Sequence, residues 1–149
     1  MSGELSWQEQ RRAAVTAHGA ALDRQRAAET AQARTLLAGF VRDMTDRGIP
    51  PVRLRARVPG SRARYRTGLT GWYLRRDGSL AVSVAGEFYL LETPRSLWAR
   101  LAGVRVPPTD PPLRVGVGAR DGESTPLDLL LRRRVEAGRD FRPYDRRRG

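Results

Sequence analysis

Six arginines, Arg53, Arg55, Arg57, Arg62, Arg64 and Arg66, fall in a short segment that contains no Asp or Glu. Two stretches within it alternate strictly, Arg53-Leu54-Arg55-Ala56-Arg57 and Arg62-Ala63-Arg64-Tyr65-Arg66. Period-two alternation predicts strands with one apolar and one polar face. Pro59-Gly60 between them supplies turn residues. A tight loop there pairs Arg57 with Arg62, Arg55 with Arg64 and Arg53 with Arg66. Leu54, Ala56, Ala63 and Tyr65 then share the opposite face.

Six guanidinium groups on one side of a two-stranded ribbon repel one another, because like charges directly opposite in a ladder are destabilising. An anion across from them offsets that cost. The planar guanidinium fork matches phosphate oxygens two at a time, so the ribbon suits a nucleic-acid backbone. Two other fates compete with this one. The ribbon can meet the carboxylates of an acidic protein partner, or it can be solvated and paired with the protein's own Asp43 and Asp46.

A second basic element closes the chain. Arg132, Arg133 and Arg134 are followed by Arg139, Arg142, Arg146, Arg147 and Arg148, with Phe141 and Tyr144 among them. Arg-rich segments of this kind order on nucleic acid, and the aromatics offer stacking surfaces. A solubilising tail is the plainer alternative.

The net charge of +12 is concentrated in these two places. Residues 1–47 carry seven Arg and six acids, and residues 67–131 carry seven of each. Residues 53–66 carry net +6 and residues 132–149 net +5. All 28 basic residues are Arg, which together with abundant Ala, Gly and Pro points to a GC-rich genome. Such a bias raises Arg everywhere; it does not strip acids from one window. Two basic segments on a near-neutral body are the functional signal.

Much standard chemistry is excluded. The chain has no Cys, so thiol catalysis, disulfides and Cys-ligated metals are ruled out, and its one His, His18, rules out multi-His metal sites. Gly116–Gly122 lacks the Lys-Ser/Thr of a phosphate loop, and Asp121 stands where a dinucleotide motif needs its third Gly. Glu87 and Glu92 differ by five positions on one strand and point to opposite faces. His18 reads as exposed, and Trp72 and Trp98 read as core. No catalytic, cofactor-binding or metal-binding residue is expected. No transmembrane run or export signal is apparent, so a cytoplasmic location is the expectation.

The elements that position the arginines follow from periodicity. Residues 6–47 predict a helix, opened by the capping pair Ser6 and Glu9, with Arg42 and Arg47 complementing its dipole and Gly48-Pro50-Pro51 stopping it. Its second half carries the apolar stripe Leu36, Leu37, Phe40, Val41 and Met44; its first half is Ala-rich. Val52–Glu92 predicts an antiparallel meander, with Thr67–Gly71 as a joint and a two-residue Asp77-Gly78 hairpin. That hairpin puts Trp72, Leu74, Ala81, Phe88 and Leu90 on one face and Tyr73, Leu80, Val82, Tyr89 and Leu91 on the other. The 36–44 stripe and the C-terminal helix are the natural covers for the two faces. Thr93-Pro94 starts a short helix with Leu97, Trp98 and Leu101 as its buried side. Leu113–Val117 predicts a strand, and Thr125-Pro126 starts a last helix ending near Gly138.

These readings predict an α+β protein: a long N-terminal α-helix packed on a mostly antiparallel β-meander of four to six strands, with short C-terminal helices and a basic tail. Residues 1–34 form a partly projecting helical arm, 35–138 the α+β core and 139–149 a flexible basic tail. The expected role is a non-enzymatic binding module for polyanions, with RNA or a ribonucleoprotein ahead of a DNA backbone. The alternative is a protein–protein adaptor, with the Ala-rich helix as the surface of a homo- or hetero-oligomer and the basic face against an acidic partner.

Overall fold

A computed structural model describes residues 2–116 and 124–144. The chain is α+β. Helix α1 (Ser2–Asp46) leads into strands β1 (Val52–Arg57), β2 (Arg64–Tyr73), β3 (Leu80–Ser83) and β4 (Phe88–Leu90). Helix α2 (Leu97–Ala102), strands β5 (Arg114–Gly116) and β6 (Ser124–Pro126) and helix α3 (Leu127–Ala137) follow. Among the described residues, no helix is long and apolar enough to cross a membrane.

Helix α1 has 45 residues and so spans about 67 Å. Residues 6–29 are exposed on every side, and core contact begins at Ala33 and continues through Leu37, Phe40 and Met44. The helix starts upstream of Ser6 and Glu9, which therefore lie inside it rather than capping it. It also runs unbroken through His18-Gly19; the surrounding alanines offset the single glycine. Its end is fixed by geometry rather than charge. The last turn holds no base, so Arg42 and Arg47 do not supply the expected dipole partner there. Instead Gly48 adopts φ +66, its amide donates to the Thr45 carbonyl (3.0 Å), and the Ile49 amide donates to the Met44 carbonyl (2.9 Å). This is a Schellman closure, sealed by buried Ile49 in the same cluster as Met44.

The sheet runs β1-β2-β3-β4, all antiparallel. Strand β2 passes straight through Thr67–Gly71, which is a bulge within one long strand and not a joint between two hairpins. Arg55 pairs with Arg66, but Arg53 pairs with Thr70, so the surplus residues are taken up on β2 around Gly68, at φ +73. The Thr67 hydroxyl fixes the bulge by donating to the Leu54 carbonyl (2.6 Å).

The turn after β2 also differs from expectation. Leu74 donates to the Leu80 carbonyl (2.8 Å), and the Asp77 carboxylate accepts from the Ser79 amide (2.9 Å) and hydroxyl (2.6 Å). The loop is therefore longer than two residues, and the register moves by one: Trp72 faces Val82 and Tyr73 faces Ala81. A one-residue shift exchanges a strand's faces. Leu80 and Val82 consequently join Trp72, Leu74 and Phe88, while Ala81 joins Tyr73, Tyr89 and Leu91. Leu90 ends up exposed.

Both helical covers lie on one side. Helices α1 and α3 pack on the Trp72–Val82–Phe88 face. The other face is covered by the sheet's own curl. The Arg57 amide donates to the Leu91 carbonyl (2.8 Å) and the Thr93 amide to the Arg57 carbonyl (3.0 Å). This parallel bridge joins the outer edge of β1 to the chain just past β4, which removes an open edge. Leu54, Tyr73, Ala81, Tyr89 and Leu91 are enclosed, with Leu69, Val106, Phe141 and Tyr144 packed against them. Phe141 and Tyr144, both half-buried, thus pack against the core, although the sequence leaves residues 139–149 outside it.

Helix α2 is turned over relative to the sequence reading. Ser96 caps it by accepting the Ala99 amide (3.2 Å), and the Ser96 amide donates to the Tyr65 hydroxyl (2.9 Å). That anchor presses small Ala99 against Val58 and Tyr65 and turns Leu97, Trp98 and Leu101 to solvent.

The burial boundary on α1 is directly testable. Leu37→Ala should cost about 2–5 kcal/mol of unfolding free energy in urea titration, whereas Val15→Ala should stay within about 0.5 kcal/mol.

Candidate polyanion interface

Strands β1 and β2 bury Leu54, Ala56 and Tyr65 and turn the intervening arginines outward. The ladder sets Arg55 directly across from Arg66 and Arg57 directly across from Arg64. The expected pairs, Arg57 with Arg62, Arg55 with Arg64 and Arg53 with Arg66, are each displaced by two or more residues. The loop from Val58 to Ala63 is longer than a tight turn, with Val58 donating to the Ala63 carbonyl (3.1 Å) and Ser61 to the Val58 carbonyl (3.1 Å). A displacement of two preserves the face, so the arginine side survives the change of register.

The six side chains have different surroundings. Arg57 is neutralised from within. Its Nη2 lies 2.9 Å from the Glu92 carboxylate and its Nη1 3.7 Å from that of Asp77, and it is only half exposed. Arg66 donates to the Leu101 carbonyl (2.8 Å), tying β2 to the end of α2. Arg64 lies over the Tyr144 ring, 3.3 Å from its centroid, a cation–π contact. Arg53, Arg55 and Arg66 line one hollow, and Arg62 and Arg64 line another together with Arg95 and Arg100. Among the described residues, Arg53, Arg55, Arg62, Arg64 and Arg66 make no ion pair. Asp43 and Asp46 on α1 do not reach them.

Tyr144 is the support that sequence reasoning missed. It sits at φ +66, uncommon for a bulky residue, and is held on several sides. Its amide bonds to the Arg76 carbonyl, its hydroxyl donates to the Tyr73 hydroxyl (2.8 Å), and that oxygen also accepts the Arg55 amide (2.8 Å). A Cβ on Gly78 would collide with its ring. Burial, then the Tyr73 hydrogen bond, push the Tyr144 hydroxyl above its ordinary range, with Arg64 and Arg55 acting in the opposite direction. Tyr144 therefore stays neutral and, bonded to Tyr73, braces the ribbon from behind.

The second basic element divides. Arg132 and Arg133 are exposed on α3. Arg134 is buried and structural, which removes it from the expected binding set. Its guanidinium donates to the carbonyls of Tyr73 (2.7 Å) and Gly138 (2.9 Å) and lies 4.2 Å from the Phe141 ring centroid. Burial lowers its pKa to about 10, which still leaves it charged at neutral pH. Arg146, Arg147 and Arg148, and most of the Gly116–Gly122 segment, lie outside the described residues. Among the described residues, no group of three His, Cys, Asp or Glu side chains could hold a metal ion.

Arg95, Arg100 and Arg105 extend the same cationic face, and the sequence carries a signal for them. Between Glu92 and Asp110 there is no acidic residue. No known protein family, curated protein or solved structure matches the chain.

Arg134 and Arg133 are sequence neighbours with opposite roles. Arg134→Ala should cost about 2–4 kcal/mol in chemical denaturation, because the buried Tyr73 carbonyl loses its donor. Arg133→Ala should change stability by no more than about 0.5 kcal/mol.

Proposed function

We propose that this protein is a non-enzymatic cytoplasmic binding module that holds the phosphate backbone of a nucleic acid, RNA ahead of DNA, on the exposed face of β1 and β2. The observation that carries this reading is the Arg55–Arg66 and Arg57–Arg64 juxtaposition across one ladder, with only Arg57 of the four given an internal carboxylate among the described residues. Opposed cations of this kind cost stability unless an anion faces them. Arg53, Arg55 and Arg62 are the free arms of the site, Arg64 and Arg66 its braced centre, and Arg132, Arg133, Arg146, Arg147 and Arg148 add reach. No base-reading element accompanies them, so recognition is directed at backbone charge and shape.

Replacing Arg53, Arg55 and Arg62 together with Ser tests this without touching a packed group. The variant should unfold at the wild-type midpoint or slightly above it. Its affinity for an RNA oligonucleotide, read by fluorescence anisotropy, should drop. The slope of log K against log salt should become shallower by about 2–3, as three phosphate contacts are lost. Unchanged affinity and slope would reject the ribbon as the site.

A second reading, an adaptor that recruits a partner through α1, is favoured by one observation: residues 6–29 of that helix are all exposed. On this reading the full chain elutes as a dimer in light-scattering chromatography, and a chain lacking residues 1–29 elutes as a monomer. A monomer in both cases removes the homo-oligomeric form of the idea.

A further inference from the structure

Helix α2 presents an apolar surface that the polyanion reading does not use. Leu97, Trp98 and Leu101 are 79%, 75% and 75% exposed. At i, i+1 and i+4 they share one side of a single short helix, and Ala99 anchors the other side. Three large apolar side chains this far into water, side by side, mark an interaction surface. Arginine borders them on both flanks. One flanking hollow is lined by Arg62, Arg64, Arg95 and Arg100 together with Leu97, and the other by Arg66 and Arg105 together with Trp98. No carboxylate occurs from Thr93 to Thr109 or from Arg47 to Arg76.

We propose that this face docks on an anionic lipid bilayer. Leu97, Trp98 and Leu101 enter the boundary between headgroups and acyl chains, and the six flanking arginines meet lipid phosphates. The arrangement is that of an interfacial anchor, with apolar and indole side chains inserted and cations at headgroup level. Shape and composition favour this occupant. The apolar side chains project rather than recede, and each hollow beside them carries arginine, four in one and two in the other, so neither is an apolar groove for a partner helix. A nucleic acid can stack on the one indole but leaves Leu97 and Leu101 in water. A bilayer needs no complementary shape and takes up all three side chains together with the ring of charge.

The proposal is independent of nucleic-acid binding, although Arg62, Arg64 and Arg66 are common to both faces. The full chain is sedimented with extruded vesicles of phosphatidylcholine, with and without about one-third phosphatidylglycerol. The expected result is co-sedimentation with the anionic vesicles, at least about tenfold weaker with the neutral ones. Leu97→Ser, Trp98→Ser and Leu101→Ser combined should weaken anionic-vesicle binding by about tenfold or more at an unchanged unfolding midpoint. In a Trp7→Phe chain, lipids brominated near the headgroup should quench the emission of Trp98, while Trp72, buried at 2% exposure, lies out of reach. Absence of binding to anionic vesicles, or equal binding by the triple Ser variant, overturns the proposal. If that variant instead loses affinity for a single-stranded RNA probe while vesicles never bind, Trp98 belongs to the nucleic-acid site. RNA binding that survives alongside failed vesicle binding rejects the lipid surface alone. Loss of RNA binding in the Arg53, Arg55 and Arg62 variant bears only on the backbone site.

Discussion

The exposed cationic face depends on β1 being held along both edges. One edge pairs with β2 and the other meets Leu91 and Thr93 through the backbone of Arg57. A strand bonded on both sides cannot rotate about its axis, so Leu54 and Ala56 are committed to the interior. Strict alternation then sends Arg53, Arg55 and Arg57 outward. Without the bridge at Arg57, β1 would be an open edge of the four-stranded sheet, with a row of unpaired backbone groups. The same closure brings Glu92 next to the Arg57 guanidinium. The contact that closes the sheet's curl therefore also removes one cation from the set available to a ligand.

Arginine serves several ends in this chain, and the surroundings of each guanidinium decide which. Arg134 is enclosed by two carbonyls and a phenyl ring and works as a core cross-link between α3 and β2. Arg57 is an internal ion pair. Arg66 ties β2 to the last turn of α2. Arg53, Arg55 and Arg62 have solvent around their head groups and no carboxylate partner among the described residues. Composition alone treats all of these as equivalent, since a long cationic side chain either snorkels to water or is satisfied internally according to what lies within reach.

The C-terminal segment joins the core to the cationic face. Phe141 stacks under Arg134, and Tyr144 reaches across to Tyr73, whose hydroxyl also takes the amide of Arg55. Arg64 then rests on the Tyr144 ring. One connected set of contacts thus runs from α3 through two tyrosines to the middle of the ribbon. A packed brace of this kind limits the freedom of the guanidinium groups it touches, and preorganised donors lose less conformational entropy when they meet an anion.

The sequence by itself determined what short-range periodicity controls. The end of α1, the apolar stripe at 36–44, the meander and the shared parity of the arginines all follow from spacings of two to four residues. Tertiary structure decided what depends on loop length and on competition for a limited interior. The longer turns at Pro59 and Asp77 set both registers, and the second exchanged the faces of β3. Tyr65 claimed the anchor of α2, so Ala99 was buried and Trp98 was left in water. Phe141 and Tyr144 had no local partner to reveal them, because the surface they cover forms only when the sheet curls closed. Side-chain type sets which groups gain from burial; only the closed chain sets which of them find room.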